Sequence, residues 1–299
     1  MGNQAFFNVG EEKISYNCFM KKIIENLQFD EERALYHLCD AEVRNVVFAG
    51  PADGESALKE GRNVDCYDCD FQLRYPLWHI HPFSMIRCKM NETCRASLWY
   101  AEDGKIVDCF LHGPKAFREC KNIEIVNSDI ESDEFGWKCD GLTVACGSLV
   151  SVYPFLCSKN VKIRNLKMKA KYAFQYVENL EIEKSTLETK DAFWHAKNAV
   201  IRDSVIDSEY LGWYSDGLTL IRCKIKGSQP LCYCKNLKLV DCEMEGANLA
   251  FEYSEVDADI RGKVDSIKNP KSGFIEVDEV GEIVRTDPVV ECTAQIIVR

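Results

Sequence analysis

The chain has 299 residues, enough for one large domain or two ordinary ones, and 46% of them are apolar, which suffices for a sizeable core. A net charge of −11 argues against nucleic-acid binding, because such proteins normally present a basic face. No apolar run approaches the roughly 18 to 20 residues of a membrane span, and the N-terminus lacks a signal-peptide pattern. We therefore expect a cytoplasmic protein that binds neither nucleic acid nor membrane, with its 16 cysteines as free thiols.

Residues 1–30 are predicted to be an N-terminal extension. Within residues 11–28, Ile14, Phe19, Ile23 and Leu27 lie near helical spacing. We predict an amphipathic helix that caps the first unit of the repeat that follows, because a solenoid must cover its terminal coils. A helix that binds a partner protein is the alternative.

Residues 31–255 repeat a pattern with a period of 19 residues. One frame position, here called position zero, is mostly Asn, Asp or Gly, and the intervals between its first members are 23, 19 and 21 residues before the period settles at 19. These residue types tolerate the left-handed backbone conformation, which predicts a sharp bend in every unit. The members of position zero are Asp40, Asn63, Pro82, Asp103, Asn122, Gly141, Asn160, Asn179, Asn198, Gly217 and Asn236. Proline cannot adopt that conformation, so the bend at Pro82 should be built differently.

Apolar residues alternate with polar ones after each bend, as in strands with one buried face. The pattern predicts an all-β solenoid, a right-handed parallel β-helix of about eleven 19-residue coils, with the hand taken from the usual crossover rule. Leucine-rich repeats would need a helix or similar segment in each unit, and pentapeptide repeats would need a period of five. After residue 255 the register is lost, and residues 256–299 are expected to form irregular closing coils or terminal strands.

Several stretches resemble one known family. They include "EERALY" (31–36), "RYPLWH" (74–79), "DAFWHAKN" (191–198) and "QPLCYCKNLKLVDCEM" (229–244). Residues 31–285 are similar, in order, to an uncharacterised family best known from bacteria and placed among the pectin-lyase-like right-handed parallel β-helices. The first 30 residues depart from it. The resemblance implies the fold but no activity and no catalytic residues.

Aromatic residues occupy two adjacent frame positions. All five tryptophans lie four residues before position zero (position −4), and most of their neighbours at position −3 are His or Tyr. Equal positions form a line along a parallel stack, so these side chains are candidates for stacking on sugar rings or binding a partner protein. The candidate binding residues are Trp78, His79, Trp99, Tyr100, Trp137, Tyr176, Trp194, His195, Trp213, Tyr214 and Tyr233.

The alternative for these rings is that they shield a corner or turn partly inward. Two near-identical stretches favour it, "FGWKCDGL" from Phe135 and "LGWYSDGL" from Leu211, because each has glycine at position −5, which leaves room for a ring. Most other units have Phe or Leu there.

The cysteines also follow frame positions, which indicates small buried side chains. The pairs "CYDC" (Cys66, Cys69) and "CYC" (Cys232, Cys234) lie nine coils apart, so they could not share one metal ion, and structural zinc usually needs two such pairs. We expect no metal and no cofactor.

No catalytic residue is assigned, and whether the protein is an enzyme stays open. The nearest acid–base candidates are Asp191 with His195, Lys190 and Glu209, and Asp216 with Tyr214. Aspartate beside a bend more often makes a local turn bond. We therefore predict a non-catalytic binding or scaffold protein that uses the aromatic line for a glycan or a protein. The alternative is a carbohydrate-active lyase or glycoside hydrolase.

Overall fold

The structure is a computed structural model that describes residues 21–50 and 54–299. These residues form an all-β solenoid of 24 strands, and every strand pair is parallel. They include no helix, and so none long and apolar enough to cross a membrane. Each turn contributes a strand to a first column, and most turns also contribute a short strand to a second column. The third side of the coil consists of turns.

The first column holds fifteen strands. They are β1 (Lys22–Glu25), β3 (Cys39–Arg44), β5 (Arg62–Tyr67), β7 (Phe83–Ile86), β9 (Glu102–Val107), β11 (Lys121–Glu131), β12 (Asp140–Val150), β13 (Lys159–Arg164), β15 (Glu178–Glu183), β17 (Lys197–Arg202), β19 (Asp216–Ile221), β21 (Leu237–Glu245), β22 (Glu255–Lys268), β23 (Ser272–Val284) and β24 (Gln295–Val298). Five of them, β11, β12 and β21 to β23, are long enough to run on into the second column.

The second column otherwise consists of short strands. They are β2 (Gln28–Phe29), β4 (Val47–Phe48), β6 (Asp70–Phe71), β8 (Lys89–Met90), β10 (Phe110–His112), β14 (Lys167–Lys169), β16 (Thr186–Thr189), β18 (Val205–Ser208) and β20 (Lys224–Lys226).

The strand register confirms the 19-residue frame in the middle of the chain. Val161 pairs with Leu180, which pairs with Ala199, which pairs with Leu218. The two longer intervals are also real, since Cys39 pairs with Arg62 and Phe83 pairs with Gly104. Equal frame positions therefore do form lines along the stack.

The expected number of eleven coils is too small. Fifteen strands in one column are separated by fourteen steps, so the solenoid has about 14 turns, and at ~4.8 Å per step the stack is about 67 Å long. Beyond the 19-residue frame the turns change length, because Glu255 pairs with Ser272 and Phe274 pairs with Gln295. The same parallel stacking thus continues where the sequence period fails.

The predicted capping helix is wrong where it can be compared with the structure. Residues 22–29 form β1 and β2, and the earlier part of the predicted helix, up to residue 20, lies outside the described residues. Ile24 is buried, whereas Ile23 and Leu27 are 55% and 50% exposed, which is the alternation of a strand. Pairing of β1 with β3 in register overrides the helical spacing of the apolar residues.

The bends at position zero have the expected conformation. Asn122, Asn160 and Asn179 have φ values of 52°, 53° and 58°, and Pro82 has no positive φ. Asparagine side chains here also join the coils, because the Asn179 amide donates to Asn160 Oδ1 at 3.0 Å. Position zero is therefore a hydrogen-bonded polar corner as well as a bend.

The core lies inside the coil and is lined by one large apolar side chain per turn at position −5. Phe155, Phe174 and Phe193 stack with ring centroids 4.8 and 5.3 Å apart, and all three are fully buried. These phenylalanines have positive φ, as do the residues two positions to either side in most turns. Alternate left-handed residues form the turns of the third side, which carries the aromatic lines.

Candidate functional site: two aromatic surfaces

The five tryptophans are half-buried, and each links its own coil to the next. Every indole N–H donates to the backbone carbonyl at position −7 of the following coil, for example Trp194 to Tyr210 at 2.8 Å and Trp213 to Gln229 at 2.7 Å. The other three donors, Trp78, Trp99 and Trp137, bond in the same way to Ala96, Lys115 and Tyr153. The polar end of each ring is therefore used within the fold rather than offered to a ligand.

The first three tryptophans form one stack with cations inserted. Trp78 and Trp99 are parallel, with ring centroids 5.3 Å apart. The Arg118 guanidinium then lies between Trp99 and Trp137, 4.4 and 4.9 Å from their ring centres. A 2.9 Å ion pair with Glu134 holds that guanidinium in place. Cation–π contacts of this kind stabilise partly buried rings.

Two neighbours at position −3 complete this group. The rings of His79 and Tyr100 stack at 4.8 Å, and the edge of Tyr100 meets Trp99. We call the five candidate residues Trp78, His79, Trp99, Tyr100 and Trp137 the first aromatic surface.

The remaining candidates form a second aromatic surface. Its members are Tyr176, Trp194, His195, Trp213, Tyr214 and Tyr233. The two tryptophans are parallel at 5.5 Å. Beside them the position −3 rings form an unbroken ladder, with centroids 4.8 Å apart from Tyr176 to His195, 5.1 Å from His195 to Tyr214 and 4.8 Å from Tyr214 to Tyr233.

One coil separates the two surfaces. Between Trp137 and Tyr176, positions −4 and −3 hold Leu156 and Cys157, so neither aromatic line is continuous there. The eleven predicted residues are thus brought together as two groups rather than as one line along the rod.

The ladder of the second surface presents ring edges, not ring faces. Each inner ring is stacked on both sides, so the faces of His195 and Tyr214 are covered. The side chains are nonetheless accessible, with Tyr176 52% and Tyr214 46% exposed. Burial, with the nearby Glu252 carboxylate, raises the pKa of Tyr233. Its phenol is therefore a neutral hydroxyl that can donate and accept hydrogen bonds.

The acid–base candidates are not assembled into a catalytic pair. The His195 ring stacks between two tyrosines, and no hydrogen bond or ion pair joins it to Asp191 in the part of the chain that the structure describes. Burial raises the pKa of Asp191, while Lys190 lies 3.8 Å from Glu209 at the surface. Asp216 Oδ1 accepts a 2.8 Å hydrogen bond from the Asn236 amide, as part of the corner ladder.

The repeated Gly-Trp stretches are two copies of one coil variant. Gly136 and Gly212 have φ of 67° and 72°, like the residues at position −5 in other turns. The bulky side chain has moved one residue earlier, since Phe135 and Leu211 at position −6 are fully buried. Phe135 takes the place of a position −5 ring, with its centroid 5.2 Å from Phe117 and 5.4 Å from Phe155. The variant therefore keeps the core filled, while the tryptophan beside it bonds as in other coils.

The cysteines are structural in the same sense. All fifteen described cysteines are free, and the pairs Cys66–Cys69 and Cys232–Cys234 are buried. Burial raises the pKa of Cys94 and Cys232 to about 12, so these thiols are protonated and weak nucleophiles. Within residues 21–50 and 54–299, no group of three or more His, Cys, Asp or Glu side chains is arranged to hold a metal ion.

Several surface aromatics escaped the sequence prediction. Tyr153, Tyr172 and Tyr210 occupy position −7 on the same side of the coil, and Tyr253 extends the ladder beyond Tyr233, 5.7 Å away. The signal was present, because these tyrosines also recur at fixed frame positions.

The fold and these lines define the chain as a parallel β-solenoid protein with aromatic ladders on its turn side. It belongs to the family described as protein of unknown function (DUF3737), whose model matches residues 22–298. A search of curated proteins found no significant match.

Solved structures with some similarity are pentapeptide repeat proteins rather than pectin-lyase-like ones. One is HetL, a protein involved in heterocyst differentiation regulation from the cyanobacterium Nostoc sp. strain PCC 7120, with 11% identity and a TM-score of 0.31 over 74% of this chain and 92% of HetL. Two are structures of QnrB1, a plasmid-mediated fluoroquinolone resistance protein, with 13% and 12% identity, TM-scores of 0.19 and 0.20, and coverage of 80% of this chain and 92% and 91% of QnrB1. Similarity at this level carries no argument about function.

Proposed function

We propose that this protein is a non-catalytic binding or scaffold protein, and that its second aromatic surface binds a protein partner. The observation that carries the proposal is the unbroken ladder from Tyr176 to Tyr233, whose ring edges and hydroxyl groups are exposed. Tyrosine and tryptophan are enriched at protein interfaces, because they combine a large contact area with a polar tip and little entropy loss.

The stacking supports a protein at this surface more than a glycan. A sugar ring packs on the face of an aromatic ring, and the inner faces of the ladder are already covered by neighbouring rings. A protein partner needs only the edges and the hydroxyls, which a rigid coil places ~4.8 Å apart. Alternating charges at position −1, such as Glu178, Lys197, Asp216 and Lys235, would supply a polar rim.

Two variants of equal exposure test the proposal. We expect wild-type protein, used as bait with proteomic readout, to enrich a partner that a Tyr176→Ala/Tyr214→Ala variant loses by at least about tenfold, as for hot-spot aromatics. Phe110→Ala is the matched control, because Phe110 is 51% exposed but lies on β10, away from the ladder. The purified partner should then show the same difference in direct binding. Equal capture by both variants, or no enriched protein, would contradict the proposal.

The cytoplasmic location and the absence of nucleic-acid and membrane partners remain part of the proposal. The net charge of −11 and the free thiols support them. The right-handed sense of the coil and its placement with pectin-lyase-like helices also remain proposals, for which the parallel stacking is the support.

A further inference from the structure

A cleft of about 480 Å³ opens beside the first aromatic surface, where the ladder of His79 and Tyr100 ends. It is lined by Tyr100, Glu102, Glu119, Lys121, Lys138 and Asp140. Clefts of a few hundred Å³ that combine an apolar platform with a few polar groups are typical of small-molecule sites.

Tyr100 differs from the inner tyrosines of the second surface in having one free ring face. Its other face is stacked on His79, at a ring separation of 4.8 Å and an interplanar angle of 16°. The next residue along the line at position −3 is Glu119, so the opposite face is directed toward the cleft without a covering ring. The edges of Trp78 and Trp99 hold the Tyr100 ring in this orientation.

Polar groups of both signs surround that face. Lys121 is paired with Glu102 at 2.7 Å, and Asp140 accepts a 2.6 Å hydrogen bond from Asn160. The side chains of Glu119 and Lys138 have neither an ion pair nor a side-chain hydrogen bond among the described residues. The cleft thus offers an acceptor and a donor that are not used inside the fold.

We propose that this cleft is a binding subsite for a neutral sugar ring, a hexose or N-acetylhexosamine unit of an oligosaccharide. The C–H groups of the sugar carry partial positive charge and pack on the negative face of Tyr100. Its hydroxyls donate to the Glu119 carboxylate and accept from the Lys138 ammonium group. The inference does not rest on the proposed protein partner, because it concerns the other aromatic surface.

The charges favour a neutral sugar over two other ligands. Three carboxylates line the cleft beside two ammonium groups, so an acidic sugar such as galacturonate would meet a net repulsion. A small cation could also lie over the free face of Tyr100. However, it would meet Lys121 and Lys138, which makes a cation the weaker choice.

The test is saturation-transfer NMR and calorimetry on the full chain with cellotriose, maltotriose, chitotriose, trigalacturonate and choline. We expect at least one neutral trisaccharide to bind with a Kd of about 1 mM or tighter, and trigalacturonate and choline to bind at least about tenfold more weakly. If no neutral trisaccharide binds to wild-type protein, or if trigalacturonate or choline binds most tightly, the proposal is overturned.

Variants locate the binding. Tyr100→Ala should weaken it at least about tenfold, Tyr100→Phe should keep it within about threefold, and Glu119→Gln should weaken it several-fold. Tyr214→Ala is the matched control, because Tyr214 occupies the same frame position with the same φ of 60° but has both ring faces covered. Glu119 is an exposed side chain, so Glu119→Gln reports on the cleft even if Tyr100→Ala fails to fold. Binding that survives both Tyr100→Ala and Glu119→Gln would place the sugar elsewhere and reject the subsite.

Discussion

A tryptophan at position −4 holds two neighbouring coils together through two contacts. Its N–H reaches a backbone carbonyl of the next coil, as in Trp213 and Gln229, and its ring stacks along the line. The carbonyls at position −7 lie on the side of the coil made of turns, where the strand ladders of the two columns do not reach. The indole therefore supplies an inter-coil hydrogen bond where the backbone makes fewer of its own.

Removal of this single hydrogen bond should be measurable. We predict that Trp213→Phe lowers the free energy of unfolding by about 1–3 kcal/mol, because it removes the N–H, leaves the Gln229 carbonyl without its donor and shortens the ring. Urea denaturation followed by circular dichroism measures the change.

Tyr214→Phe is the control for that measurement. It removes an exposed hydroxyl one residue away, and we expect a change within about 0.5 kcal/mol. Equal effects of the two substitutions would show that the indole hydrogen bond contributes nothing specific.

At the scale of one coil, the core accepts its bulky residue at either of two adjacent positions. Most turns have a small residue at −6 and a large one at −5, as in Ala173 and Phe174, whereas one variant turn has Phe135 followed by Gly136. Both arrangements bury one large side chain, so the inside of the coil keeps its volume. The glycine suits this variant because a Cβ at Gly136 would lie 3.0 Å from Leu142 and 3.3 Å from Phe155.

A double-mutant cycle should reveal this exchange. Phe135→Ala alone should cost about 3–5 kcal/mol through a cavity, and Gly136→Phe alone about 1–3 kcal/mol through overpacking. The double variant restores the Ala-Phe order of the neighbouring coils, so we expect it to recover more than half of the summed loss. Guanidinium unfolding of the four proteins measures the coupling. Additive losses would show that the two positions are not interchangeable.

At the scale of the whole molecule, each coil pairs only with its neighbours, so one complete coil should be removable. We predict that deletion of residues 142–160, one full 19-residue interval, leaves a folded solenoid, because Gly141 then precedes Val161 in register. The Trp137 N–H would find the carbonyl of Tyr172 in place of that of Tyr153. We expect a single thermal transition within about 10 °C of wild type.

The matched control is deletion of residues 142–158, which removes two residues fewer. It places two extra residues in one strand of the stack and should abolish the cooperative transition, because the buried face is no longer continuous. If both deletions behave alike in differential scanning calorimetry, the solenoid does not depend on coil register.

Much of the fold could be predicted because one bend residue marks each coil. Asn, Asp and Gly at position zero, and a large apolar side chain five residues before, repeat with little variation. The ends could not be predicted in the same way. Glu255 and Ser272 hold position zero there, the intervals change, and a short apolar stretch such as residues 22–29 fits a helix or a strand equally well.

The aromatic site was predictable as lines but not as surfaces. Frame positions placed the eleven residues, and Leu156 with Cys157 already marked the gap between the two groups. Spacing does not encode side-chain torsions, however. The carbonyl acceptors of the tryptophans, the insertion of Arg118 between two rings and the free face of Tyr100 therefore required the structure.

The two longer coils have a consequence for engineering this rod. Both place their extra residues at one corner, directly after the second-column strands β4 and β8, because Phe48 still pairs with Phe71 and Met90 with Leu111. The corner at position zero, joined from coil to coil by asparagine amides, keeps its length in both. The corner after the second column is thus the natural place to graft a foreign peptide, and copies inserted in successive coils would be displayed as a row with a fixed ~4.8 Å rise.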